Sequence, residues 1–167
     1  MYKDHLLHSI EREIAQLKAL IPHIEEKDLA FRPNEKVRST YELMQYLSTI
    51  GSTMMHWYLD GMTQEYRDKA KANRESLTLA NFGTRLDEQL KTIKQSMERV
   101  KEEDLHNKMV ELPYKETMPL GQAIIAGPIR WLAVYRMELF VYLKLIGKTE
   151  LSTKEAWTLA VPAASGN

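Results

Sequence analysis

Five histidines and no cysteine bound the chemistry open to this chain. Without thiols there is no disulfide, no thiolate nucleophile and no zinc site that depends on sulfur. His5 and His8 stand three apart, a spacing that can place two metal ligands on one helix face. In the charged start MYKDHLLHSIERE they read instead as solvated polar residues. His56 follows Gln45, Thr49 and Ser52 at helical spacing and completes a polar stripe on an otherwise apolar segment. Thr49 and His56 are therefore candidate polar contacts for a ligand, although interhelical hydrogen bonding or contact with solvent accounts for the same stripe. His23 and His106 fall in connecting segments and carry no pattern. There is no HExxH and no repeated Glu-x-x-His, so a di-iron bundle is not expected. The serines stand in caps or stripes with no G-x-S-x-G elbow, and no acyl-transfer triad is legible.

The charge balance narrows the partners. Lys plus Arg and Asp plus Glu each number 23 in 167 residues, for a formal net charge of zero. Neutralising a phosphate backbone requires a basic excess or stripe, and the charges here are interleaved, so nucleic acid is not an expected partner. The start is charged too early for a secretory signal. The longest uncharged run, residues 43–59, carries Gln45, Ser48, Thr49, Ser52, Thr53 and His56. That is too polar for a membrane span and reads as a central buried helix. A cytoplasmic protein is expected, with one domain over residues 1–167 and a tail from about 148 to 167.

Four amphipathic segments position these residues. In the first, about 4–21, Leu6, Ile10, Ile14 and Leu17 recur at three and four, and Pro22 can end it. The second opens on Ser39-Thr-Tyr-Glu42, a capping box, runs through Leu43, Tyr46, Leu47, Ile50, Met54, Trp57 and Tyr58, and stops at Gly61. A polar stretch with a short helix around 64–71 leads to the third, where Leu79, Phe82, Leu86, Leu90, Ile93, Met97 and Val100 keep a regular pattern. The fourth spans about 120–146, is interrupted at Gly127-Pro128, and is capped by Gly147. Trp157 is placed to fold back onto the bundle. No strand-like alternation is visible. The expected fold is all-α, an antiparallel four-helix bundle whose long connection between helices 2 and 3 allows a crossover.

Two stretches, FRPNEKVRSTYELMQYLSTIG and WLAVYRMELFVYLKLIG, resemble the DinB/YfiT-like superfamily of four-helix bundles. Its members read like S-I-x-E-L-L-x-H-L at the first place and H-x-x-x-H-R-x-Q-x-x-x-Y-L-R-x-x-G at the second. The resemblance implies a divalent metal such as nickel or zinc on three histidines, one from the second helix and two spaced i,i+4 on the last. Three neutral imidazoles leave open positions at which a metal activates water or a thiol, and the family includes thiol-dependent S-transferases. Carried onto this chain, the three positions are Tyr46, Trp131 and Tyr135. Trp131 has no lone pair to offer, and a tyrosine ligates well only as phenolate. Arg136 is kept. Glu138 stands where glutamine is common and shares a face with Trp131 and Tyr135, so it needs a partner, for instance the Tyr46 hydroxyl.

With these replacements no bound metal is expected, and the fold is expected to be retained without its metal centre. The protein would then be non-catalytic or bind a small molecule in a pocket around Tyr46, Trp131, Tyr135 and Glu138. Two other readings compete: a metal-dependent S-transferase or hydrolase using a non-standard site, and an interaction module. A homodimer is the expected assembly.

Overall fold

In the computed structural model, which describes residues 1–158, helix α1 (Tyr2–Leu20) forms where the apolar stripe predicts it. Leu6, Ile10, Ile14 and Leu17 are all buried on its inner face. The helix tightens into a 3-10 turn at Ile21–His23, where Pro22 removes a backbone N–H. The tail VPAASGN lies outside the described residues.

The second bundle helix is in two pieces, which corrects the expectation of a continuous one. Helix α2 (Thr40–Leu47) opens on the predicted capping box: Glu42 N donates to Ser39 Oγ at 3.2 Å, and Ser39 N donates to Glu42 Oε2 at 2.7 Å. Helix α3 (Ile50–Asp60) ends on Gly61, whose φ of +71° is the left-handed cap that glycine adopts without strain. Between them Thr49, at φ −133°, leaves the helical path, freeing backbone groups that must find partners. One buried side chain supplies them. Gln89 Oε1 accepts from Gly51 N at 2.7 Å and Ser52 N at 3.3 Å, while its Nε2 donates to the Leu47 carbonyl at 2.9 Å.

The long connection carries helix α4 (Gln64–Glu75), a full turn longer than the sequence suggests. Helix α5 (Phe82–Glu98) starts later than Leu79. The reason is local: Thr78 N donates to Asn81 Oδ1 and Asn81 N to Thr78 Oγ1, a reciprocal turn that competes with the helix. Gly51 lies against Gln89, and Asp60 against Arg99, so α3 and α5 run in the same direction, as a crossover requires. Tyr46 meets Tyr135 while the Arg38 carbonyl meets Tyr142, so the α2–α3 unit is antiparallel to the last bundle helix.

Helix α6 (Glu102–Asn107) precedes a two-stranded antiparallel hairpin, β1 (Met109–Glu111) and β2 (Thr117–Pro119), with Val110 opposite Met118. No strand is expected from the sequence, because three residues are too few to show an alternation. The last bundle helix is built from α7 (Leu120–Ile124), a π-helical turn (Ile125–Ile129) and α8 (Arg130–Leu145). Pro128 cannot donate a backbone hydrogen bond, so the predicted interruption takes the form of a widened turn. Gly127 is required there, because a Cβ would collide with the Tyr58 hydroxyl and lie 3.2 Å from its Cζ. Helix α9 (Thr153–Trp157) does fold back: the Trp157 carbonyl accepts from Gln16 Nε2 at 2.8 Å, although the indole itself is exposed.

Helices α1, α2–α3, α5 and α7–α8 enclose the core, in which Met44, Met55, Phe82, Leu86, Ile124 and Leu139 are fully or almost fully buried. Among the described residues no helix is long and apolar enough to cross a membrane.

Candidate functional site

The positions that the resemblance marks for a metal come together on one side of the bundle. Capping at Ser39 sets the phase of α2, so that Tyr46 turns toward α8 and meets Tyr135 edge to face, with ring centroids 4.7 Å apart. Trp131 stands one turn earlier on α8, half-buried against the core. The Arg38 guanidinium lies 4.3 Å from the Tyr46 ring centroid and 5.4 Å from that of Tyr135, a cation–π stack over both rings. Burial, and after it the neighbouring Tyr135, pushes the Tyr46 phenol up to about 12.

This donor set does not fit a divalent ion. An indole has no lone pair, and the Tyr46 hydroxyl stays protonated at neutral pH. The Arg38 cation opposes a second positive charge beside it. Among the described residues, no group of three or more His, Asp or Glu side chains is gathered closely enough to hold a metal.

Glu138 does not reach Tyr46. The i,i+4 spacing brings it to Tyr142 instead, whose hydroxyl donates to Glu138 Oε1 at 2.7 Å. Burial, then that hydrogen bond, raises the Tyr142 phenol well above its ordinary range. With Arg32, Glu35, Lys36, Val37, Arg38 and Glu42, Glu138 lines an open depression of about 610 Å³. Arg38 thus joins that depression to the tyrosine pair.

The polar stripe of the second helix faces elsewhere. Thr49, Ser52 and His56 line a deeper cleft of about 600 Å³, walled by α3, α4 and α5. Its outer wall, α4, is highly charged and buries only Ala70. Polar contacts hold it: Tyr66 Oη donates to Ser52 Oγ at 2.9 Å, its ring stacks on His56 with centroids 3.7 Å apart, and Gln45 Nε2 donates to the Arg74 carbonyl at 2.7 Å. His56 Nδ1 lies 3.1 Å from Asp60 Oδ2, close but off the line of a good hydrogen bond. Arg99 fixes Asp60 through two parallel bonds of 3.0 and 2.9 Å. Burial lowers the affinity of His56 for a proton, and this outweighs the opposing pull of Asp60.

The other histidines stand apart. His5 and His8 are exposed, and His8 lies 3.8 Å from Glu11. His23 lies 3.6 Å from Glu150, and His106 stacks on Tyr2. Sequence reasoning passed over Arg38, Asp60, Tyr66 and Arg85. Of these only Asp60 leaves a signal, four residues after His56; the rest are brought in from distant segments.

No family model matches the sequence, and no curated protein matches it. Solved structures do. A protein of Exiguobacterium sibiricum described as a member of the DinB family superposes with a TM-score of 0.70, covering 87% of this chain and 92% of its own at 18% identity. A DinB-like protein of Bacillus subtilis gives 0.69, with 89% and 96% covered at 17% identity. The chain therefore has the fold of the DinB-like helical bundles. At such identities the likeness is one of fold.

Proposed function

We propose that this protein is a metal-free, non-catalytic bundle of the DinB-like fold that binds a small molecule. One observation carries the reading: Tyr46, Trp131 and Tyr135 occupy the positions at which the resemblance implies three histidines, and the two tyrosines pack edge to face under Arg38. Bulky rings fill that face, and none of them is a neutral nitrogen donor. The polar cleft at Thr49 and His56 supports a retained binding role, because polar side chains aimed from a buried helix into a cavity are the usual means of orienting a ligand. Self-association belongs to the same reading. Val134, Val141 and Leu145 lie exposed along α8 at spacings of seven and four, an apolar stripe suited to a second copy.

The reading is tested by restoring the donors. With Tyr46→His, Trp131→His and Tyr135→His combined, calorimetric titration with nickel and zinc should show stoichiometric binding in the variant and none in the native protein. A folded triple variant that takes up neither ion would mean that these positions do not converge on a metal site, and their replacement would then say nothing of a lost metal centre.

A further inference from the structure

Helix α4 differs from the other walls of the α3–α4–α5 cleft in what holds it to the molecule. The α3 and α5 walls belong to bundle helices with buried apolar faces, whereas α4 buries only Ala70. Inside it lies the cleft of about 600 Å³, so α4 spans open space where a bundle helix would meet packed side chains. Docking strength grows with the apolar area removed from water, and little is removed here. What remains is polar. Tyr66 donates to Ser52 Oγ and stacks on His56, and Gln45 donates to the Arg74 carbonyl. Hydrogen bonds that water can replace have a small net worth, so these contacts latch the helix without locking it.

The flanks of α4 are built differently. Met62 and Leu77 are both buried, so the chain is anchored just before Thr63 and just after Ser76. Tyr41 Oη donates to the Leu77 carbonyl at 2.8 Å, and Asn81 Nδ2 donates to the Ser76 carbonyl at 3.0 Å. Gly61 and Met62 stand in succession at φ of +71° and +56°. Positive φ cannot continue a right-handed helix, so α4 is not a rigid extension of α3. Stability varies within a fold, and an element with few buried apolar contacts between firm anchors opens at a lower cost than the whole.

We propose that α4 is a lid: it opens as a unit between the anchors Met62 and Leu77, is latched by Tyr66, and on opening uncovers the Thr49–Ser52–His56 wall of α3. The proposal goes beyond the binding reading, and its test needs no ligand. The first measurement is amide hydrogen exchange of the native protein in low urea. A detached helix of this length is marginal on its own, so opening registers as exchange of α4 amides. Those amides should exchange with a shallow urea dependence, and those at the centres of α3 and α5 with the steep dependence of global unfolding. Tyr66→Phe should speed α4 exchange about fivefold by removing the Oη hydrogen bond. Glu13→Ala strands the buried Arg136 and weakens the whole fold, so it should speed the core amides and leave α4 unchanged. The second measurement is thiol labelling. The chain has no cysteine, and Thr49 is 6% exposed on the cleft wall, so Thr49→Cys gives a single reporter beneath α4. Its labelling should speed by the same factor when Tyr66→Phe is added. Exchange of α4 that follows the core in urea or in Glu13→Ala, α4 amides with no protection at all, or exchange and labelling indifferent to Tyr66→Phe would each overturn the proposal.

Discussion

Arg136 carries a guanidinium into the core with 2% of its side chain exposed. Its Nε and Nη2 reach Glu13 at 3.0 and 2.9 Å, and its Nη1 donates to the Ala156 carbonyl. One side chain thereby ties α8 to α1 and to the returning α9. Removing the carboxylate would strand a buried charge, so Glu13→Ala should lower the unfolding free energy by about 3 kcal/mol in urea titrations. Glu13→Leu with Arg136→Met should recover part of that, because an apolar pair leaves no buried charge, although the Ala156 carbonyl loses its donor. His56 gives a second prediction. Its folded pKa lies below the ordinary 6.5, chiefly through burial, with Arg99 and Lys69 adding to the shift and Asp60 opposing it. The unfolded chain then binds the proton more readily than the folded one. The stabilising contribution is present above 6.5 and is lost as pH falls through the folded value. Melting temperature should drop on mild acidification, and His56→Gln should flatten that part of the profile. An identical slope in the variant would assign the loss to other groups.

Two interrupted helices depend on single side chains. Gln89 satisfies three backbone groups at the α2–α3 break, so Gln89→Ala should cost about 3 kcal/mol, since each buried group left unpaired costs roughly 1–3 kcal/mol. Thermal melts of a folded variant with unchanged stability would contradict this. At the π-helical turn, Gly127→Ala should destabilise by roughly 1–3 kcal/mol through overpacking against Tyr58. The Tyr58 hydroxyl is buried with no partner, so Tyr58→Phe should be close to neutral and should rescue much of the Gly127→Ala loss. The sequence marks these elements unevenly. The Ser39–Glu42 box, Gly61 and Gly147 announce their ends through local chemistry, and the structure places caps at all three. The break at Ser48–Thr49 is silent because its stabiliser sits forty residues away on α5. The hairpin is silent because its strands are three residues long.

Over the whole molecule, burial pattern and the order of helices were legible, whereas the pairing of faces was not. Tyr46 and Tyr135 could be set opposite each other only through a family resemblance; the Arg38 stack, the Tyr66 latch and the Arg99 clamp depend on contacts between segments far apart in sequence. The exposed stripe of Val134, Val141 and Leu145 predicts a dimer in sedimentation equilibrium and a monomer after Val141→Glu with Leu145→Glu. A native protein that stays monomeric at high concentration would remove α8 as an interface. Whether aromatic packing stands in place of a metal centre is decided by the metal content of untagged, freshly purified protein, read by mass spectrometry. The expected result is a metal-free protein that stays empty after incubation with nickel, zinc and iron. Near-stoichiometric metal would contradict it.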